Sequence, residues 1–471
     1  MIGFSTIALI HGRVVPWTGL LTVAGNQNEP RCKMIRISAR VAAVFLGTGL
    51  VVGGFFFQSA RAQAPSGAAV ALTGARLIDG TGRTPLEQAA LLVTNGRVAA
   101  VGAPGAIRIP DGAVRVDLSG KTIVPGLINA HAHVNADRES TLPVRDQLVA
   151  QLRLYAQYGV TTIHSLGDDG QESVKLRDEQ EHGTLDRARL YVAGPNVTAK
   201  TPDEGRQNVD RVAAMKVNII KTRVDGPDNS PTRMAPDVYR AIIDQAHQRG
   251  LRVAAHMYYL KDGHGLLDAG VDVLAHSIRD GDVDQRLMAD LKRRNVGYIP
   301  TLTRDLSVFV YETTPAFFTD PFFLRGVAAY RKQMTQVSDP AYQEKTRKSE
   351  EAQTIKKALQ QANRNLKLLA DAGVPIAMGT DTGAQLGRWQ GYFEHTELEL
   401  MVKAGLTPMQ TLIAATGDAA RVMKLDGELG TLQPGKWADF VVLHANPLAD
   451  IRNMRQIDAV WIAGRRLSDA P

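Results

Sequence analysis

The stretch "IVPGLINAHAHVNAD" (residues 123–137) leaves an apolar run and places two histidines, His131 and His133, one residue apart. In a β-strand residues i and i+2 point to the same face, so both imidazoles can aim at one point. Neutral imidazole nitrogens converging on one point suit a metal ion. A lone His-x-His reads equally well as two polar residues opening a loop, so the rest of the chain has to supply partners.

After residue 140 one unit recurs: an amphipathic helical stretch, a glycine near its end, then a short β-branched run. It is present in "LVAQLRLYAQYGVTTIHS" (148–165), "VYRAIIDQAHQRGLRVAAH" (238–256), "LLDAGVDVLAHS" (266–277), "MADLKRRNVGYIPTL" (288–302) and "LKLLADAGVPIAMGTD" (366–381). In the first, Leu148, Leu152 and Tyr155 share a helical face, and Gly159 supplies a left-handed cap before the strand. Helix-then-strand alternation argues an α/β fold with a parallel sheet. Strands are expected at 123–130, 160–164, 189–193, 217–222, 252–256, 272–276, 297–302 and 375–380. Eight closes a TIM (β/α)8 barrel, whose chemistry lies at the C-terminal strand ends.

The flanks read differently. "AVALTGARLIDGTGRTPLEQAALLVTNGRVAAVGA" (69–103), "GTLQPGKWADFVVLHANP" (430–447) and "AVWIAGRRL" (459–467) carry short strands and turn pairs such as Asp79-Gly80 and Asn95-Gly96. The two chain ends are expected to pair into a small composite β-sandwich domain. The expected organisation is an upstream segment with a signal peptide (1–62), the N-terminal part of the β-domain (69–122), a catalytic barrel (123–420) and the C-terminal part of the β-domain (421–471). An insert at 303–353 carries Phe309, Tyr311, Phe317, Phe318, Phe322, Phe323 and Tyr330. It reads as a substrate-covering lid or as a helical packing insert.

At 471 residues, 44% hydrophobic and 22% charged, the composition is that of a globular enzyme. Six of the 55 basic side chains and one of the 48 acidic ones precede residue 63, so the rest is close to neutral and the charge gives no argument for nucleic acid. The excess sits in "MIRISARVAAVFLGTGLVVGGFFFQSARAQA" (34–64): a basic start, an apolar run over 41–57, and Ala60-Arg61-Ala62 as a small-x-small cleavage site. This predicts export to the periplasm or medium, a translation start at Met34, and no stable membrane span in the mature chain. The single cysteine, Cys32, precedes that start, so thiolate metal sites and disulfides are excluded from the mature chain.

The barrel reading gives the remaining partners. The first strand ends in His131 and His133, the fourth in Lys221, the fifth in His256, the sixth in His276 and the eighth in Asp381. Each has a structural explanation alone; all six at successive strand ends together do not. With "PGLINAHAHV", "IIKTR", "VAAHM", "VLAHS", "MGTDTG" and the closing "GTLQPGKWADFVVL", the chain resembles the amidohydrolase superfamily over residues 69–468, in its imidazolonepropionase-like and prolidase-like branch.

The resemblance implies a TIM barrel with a composite β-domain and a site for two divalent ions, usually zinc. His131, His133 and Asp381 would hold the more buried ion and His256 and His276 the outer one, with N-carboxylated Lys221 bridging both. A bridging water activated by the ions would attack an amide carbonyl, with Asp381 taking its proton and passing it to the leaving nitrogen.

The expected function is hydrolysis of a C–N amide bond in a dipeptide, an N-acyl amino acid or a related small amide. Tyr258, Arg223 and His395 are candidate substrate contacts. His164 is read as packing, and His247 and His264 as surface residues. Two alternatives stand beside this. One is a one-metal deaminase or cyclic-amide hydrolase of the same superfamily, although no acid follows His256 until Asp262. The other is a non-catalytic scaffold. Assembly as a homo-oligomer is left open.

Overall fold

In the computed structural model residues 69–226 and 233–467 are described. The 34–64 signal, Met34 and Cys32 lie outside the described residues. Both chain ends enter one sheet. Its N-terminal strands are β1 (Val70–Leu77), β2 (Leu86–Thr94), β3 (Arg97–Gly102), β4 (Val114–Asp117) and β5 (Thr122–Pro125). The parallel set follows: β6 (Leu127–Ala132), β7 (Val160–Ser165), β8 (Arg189–Val192), β9 (Ile220–Arg223), β10 (Val253–His256), β11 (Val273–Ala275) and β12 (Gly297–Ile299). The chain closes with β13 (Phe440–Leu443), β14 (Ile457–Ile462) and β15 (Arg465–Arg466).

The flanking sheet runs β15-β14-β13-β5-β1-β2-β3, with β4 also on β1. The join between chain ends is β13 antiparallel to β5, with Val441 opposite Val124. Alternating side chains from both ends bury a common core that includes Leu72, Leu91, Val93, Phe440 and Trp461. β1 pairs β4 through its first half and β5 through its second.

The parallel strands form two ladders, β6-β7-β8 and β12-β11-β10-β9. A parallel bridge between Val197 and Thr222 and a second between Tyr298 and Ile376 flank the four-stranded ladder. Helices between the strands bury their apolar faces against them. Leu148, Leu152 and Tyr155 of Val144–Gln157 and Ile242, Ile243 and Ala246 of Pro236–Gln248 enter one large core. Gly159 has the left-handed φ of +77° that its capping position demands.

Two expected strands are corrected. The run expected at 123–130 is two strands: residues 122–125 belong to the flanking sheet, and the parallel ladder begins at Leu127. Gly126 between them faces Thr161 so closely that a Cβ would collide with it. The run expected at 375–380 pairs irregularly. Pro375 has no N–H, and the Met378 N–H donates to the Ala414 carbonyl (2.8 Å) instead of a neighbouring strand.

The aromatic insert is helical. Tyr311, Phe318, Phe322, Phe323 and Tyr330 are buried in one cluster with Tyr158, Trp389, Tyr392 and Phe393. Of the two readings of 303–353, packing is the one this contact pattern matches. Among the described residues no helix is long and apolar enough to cross a membrane.

Candidate metal centre

His131 lies on β6 and His133 just past its end, and both side chains are buried. Backbone pairing draws Asp381 to them: the Asp381 N–H donates to the His131 carbonyl (2.7 Å) and the His133 N–H to the Thr382 carbonyl (2.8 Å). Asp381 Oδ1 then stands 2.9 Å from His133 Nε2 and 3.3 Å from His131 Nε2. One ligand atom from each of these three residues falls within 4.8 Å of the others.

The remaining histidines continue the cluster. The His276 ring is 4.6 Å from His131 and 4.1 Å from His256. Lys221, on β9, is buried, and its charge acts on both His131 and His256. All six residues expected at the strand ends are therefore brought together. His276 and Asp381 hold left-handed backbone, with φ of +75° and +61°. Such conformations are uncommon outside glycine and gather where geometry is over-determined.

The ring nitrogens fix which atoms face inward. His133 Nδ1 is 3.0 Å from the Gly167 carbonyl and His276 Nδ1 is 2.7 Å from Thr301 Oγ1, which leaves Nε2 of each toward the cluster. His256 is tied the other way round, through Nε2 to Asp225 Oδ2 at 2.9 Å, which leaves Nδ1. Buried His131 has no hydrogen-bond partner on Nδ1, and its Nε2 has only the 3.3 Å approach of Asp381 Oδ1. A buried orphan of this kind is costly unless something satisfies it. Neutral imidazoles, a carboxylate and no sulfur form a donor set that fits a divalent ion such as zinc.

The electrostatics agree. Burial pushes the His131 and His256 imidazoles down to about 3, and nearby Lys221 adds to this while Asp381 and Asp225 respectively oppose it. Burial holds His276 well below its ordinary value. All three stay neutral with lone pairs available. Burial also pushes the Lys221 amine down to about 8, against the opposing charges of Asp381 and Asp225. A neutral amine is the form that reacts with CO₂. For Asp381, burial opposes ionisation, but Arg388 and the two histidines outweigh it and hold the carboxyl well below the usual range.

Beside this cluster lies a chain of guanidinium groups that the sequence reading missed. Arg388 ion-pairs Asp381 Oδ2 and hydrogen-bonds Ser307 Oγ (3.1 Å). Arg304 Nε is 4.0 Å from the same Oδ2, and its Nη1 donates to Asp305 Oδ1 (2.8 Å). Fully buried Arg279 pairs that same Asp305 oxygen and lies over the Tyr258 ring at 4.7 Å. Three guanidiniums thus share two carboxylates, one of which also faces the histidines. Arg304, in the first turn of the helix Leu302–Phe309, and Arg388, on a loop, lie within "TRDLS" and "GRWQG", and nothing in the local pattern distinguishes them.

The lower-ranked candidates separate. Tyr258 is half-buried beside Tyr259 (4.8 Å) and next to Arg279, at the rim of the cluster. Arg223 turns outward, 58% exposed, and its Nε donates to Asp225 Oδ1 (2.7 Å). His395 is buried away from the centre: its Nε2 meets the Tyr158 carbonyl at 2.7 Å and its ring packs on Phe322. His164 lines a small pocket among Ala130, Leu166, Ile219, Ala254 and Val273, within the parallel strands. His247 and His264 pair with Asp272 and Asp284.

One more buried acid holds the site's backbone. Glu394 Oε1 accepts from Asn129 Nδ2 (2.6 Å), Thr380 Oγ1 (3.0 Å) and Thr382 Oγ1 (2.7 Å). Asn129 Oδ1 in turn accepts the His131 N–H (3.0 Å). Thus Glu394 ties the two segments that carry His131 and Asp381.

Comparison with known proteins gives the following. A model of the Amidohydrolase family matches residues 122–467. A Mycobacterium tuberculosis protein described as uncharacterized is 24% identical over 391 residues, covering 80% of this chain and 91% of that protein. Ochratoxinase from Aspergillus niger is 23% identical over 448 residues, covering 83% and 84%. Among solved structures, a chain described as a candidate prolidase from Bifidobacterium longum has a TM-score of 0.69 at 29% identity, covering 85% of this chain and 95% of that one.

Proposed function

The chain belongs to the Amidohydrolase family, and we propose that it is a metal-dependent hydrolase of a C–N amide bond in a small substrate bearing a carboxylate, such as a dipeptide or an N-acyl amino acid. The observation that carries this reading is the convergence of His131, His133, His256, His276 and Asp381 in one buried cluster, with buried Lys221 on the strand beside His256. His131, His133 and Asp381 would hold one ion and His256 and His276 a second, with Lys221, carboxylated, between them. When bound, the ions would acidify a water and polarise the amide carbonyl.

The chain's own residues do the rest. Asp381 takes the proton of the attacking water and delivers it to the leaving nitrogen, while Arg388 keeps its second oxygen fixed. The guanidinium excess beside the centre supports a substrate that brings negative charge, because buried cations without counter-charge are expensive. Tyr258 stands at the rim, where it would meet the substrate. The names of neighbouring proteins agree with an amide substrate: a candidate prolidase, and an Xaa-Pro dipeptidase whose likeness to this chain is one of fold alone. The deaminase reading expects an acid a few residues after His256 in the chain, and Asp262, the first to follow, is paired with Arg233.

The fold belongs to the same proposal. The two parallel ladders, the Val197–Thr222 and Tyr298–Ile376 bridges and the hydrogen bond from the Ala130 N–H to the Met378 carbonyl (2.9 Å) support a closed (β/α)8 barrel over 123–420. The handover of β1 from β4 to β5 supports a β-sandwich built from 69–122 and 421–471. Reading 34–64 as a signal peptide adds export to the periplasm or medium.

The test is hydrolysis of N-acyl amino acids and dipeptides by the zinc-loaded full chain, beside the same compounds with the carboxylate capped as an amide. Chelator-sensitive release of amine, faster for the free acids, is expected. Absence of C–N cleavage with any divalent metal, or cleavage that survives chelation, would contradict the proposal.

A further inference from the structure

The four histidines of the cluster are not held alike. The outward nitrogen of His133 rests on a carbonyl and that of His276 on a hydroxyl, both neutral acceptors. His131 has no partner on Nδ1, and its Nε2 faces only Asp381 within the cluster. Only His256 leans on a carboxylate from outside the cluster: Nε2 lies 2.9 Å from Asp225 Oδ2, whereas the anion facing His131 and His133 is Asp381, itself a member of the cluster.

The backbone arranges this. β9 and β10 run parallel with Arg223 opposite His256, and the Val224 N–H donates to the His256 carbonyl (3.1 Å). Asp225, one residue on, is thereby set against the outer edge of the His256 ring. It is buried, and its other oxygen accepts from Arg223 Nε at 2.7 Å. Both oxygens have protein partners, so the carboxylate acts on the ring rather than reaching past it. Arg223, the outermost member, balances the charge from the solvent side.

We propose that Asp225 is a positioning residue for His256. Its carboxylate fixes the proton on Nε2 and aims the Nδ1 lone pair inward, and the metal ion on His256 depends on it while the ion on His131, His133 and Asp381 does not. This rests on the reading of His256 as a metal ligand. A carboxylate behind a ligating imidazole sets the tautomer, orients the ring and raises its basicity. None of the other three histidines has that support. The two ions are therefore held with unequal dependence on their surroundings, and the weak point of the second lies outside the cluster, on a loop residue.

The test is zinc binding to the metal-free full chain by competition with a chromophoric chelator, for wild type, Asp225→Ala, Asp225→Asn and Asp225→Glu. In Asp225→Ala one of two sites should weaken roughly 10–100-fold, with the other unchanged. Asp225→Asn should fall between, because an amide oxygen still accepts the Nε2 proton without the charge, and Asp225→Glu should restore part of the loss. Unfolding midpoints of the metal-free variants show whether each has folded. ¹⁵N-histidine NMR of the metal-free wild type, with His256 assigned by its absence in His256→Gln, should show the proton on Nε2.

Two sites unchanged in every variant, both weakened equally, or a proton on Nδ1 would overturn the proposal alone. A wild type that takes up fewer than two ions would overturn the two-ion reading and this proposal with it.

Discussion

Replacing Asp439 by asparagine removes the charge from one half of a buried pair that ties β8 to the residue preceding β13. Arg189 has no exposed side-chain surface; its Nε donates to Asp439 Oδ2 at 2.7 Å and its Nη2 to Oδ1 at 3.0 Å. Arg189 Nη1 donates to the His182 carbonyl (3.0 Å), and Asp439 Oδ1 also accepts the Ala463 N–H (2.7 Å). Without the carboxylate a guanidinium is left uncompensated in a dry interior, at a cost of about 3–5 kcal/mol when one partner of such a pair is removed. Asparagine keeps the shape and one acceptor, which puts the expected loss at about 3 kcal/mol.

That is a large part of the ~5–15 kcal/mol that holds a domain folded. Guanidinium unfolding followed by tryptophan fluorescence reports it locally, since the Trp437 ring lies 4.9 Å from the Arg189 guanidinium carbon. The double variant Arg189→Met, Asp439→Leu removes both charges and should be closer to wild type than either Asp439→Asn or Arg189→Met. A loss under about 1 kcal/mol in Asp439→Asn, well below the range for a broken buried pair, would refute the reasoning. So would a double variant worse than both singles.

Three further outcomes are expected. Gly383 has φ of +79° and lies against the His133 carbonyl, so the Cβ of Gly383→Ala would collide there; amide hydrolysis should fall by about two orders of magnitude, as a shift of about 1 Å at catalytic groups does, and unchanged kcat would contradict this. Burial pushes His131, His164, His256 and His395 each to about 3, below the ordinary 6.5. In metal-free protein the stability from keeping them neutral is full above pH 6.5 and lost as pH falls toward 3, with a slope of up to about 1.4 kcal/mol per pH unit for each; a flat urea midpoint between pH 7 and 4 would be inconsistent. Arg304→Met should raise KM for a free-acid substrate about tenfold, the lower end of losing one charge-assisted bond, and leave the capped amide unaffected; an equal change in both would remove Arg304 from substrate recognition.

The parts of the fold visible in the chain were those written in local periodicity. The helix-glycine-strand unit marked the parallel strands, and a polar residue closing an apolar run marked each member of the cluster, because one strand end contributes one side chain. Regularity overstated 375–380, which bonds to both neighbouring strands but only irregularly, its Met378 N–H going to Ala414.

The insert's direction was illegible for a different reason. Aromatic content shows that a segment buries itself, but its partners Tyr158 and Trp389 lie far away in the chain. Asp225, Thr301 and Glu394 act through other residues at long sequence separation, so no spacing points to them. The guanidinium chain likewise joins Arg279, Arg304 and Arg388 from three separate segments.

The measurement that bears most directly on the account is the metal content per chain of the purified protein, grown with zinc and bicarbonate, beside Lys221→Ala. The account predicts two ions per chain in the wild type and a clear loss in the variant. No ion above background in the wild type would contradict it.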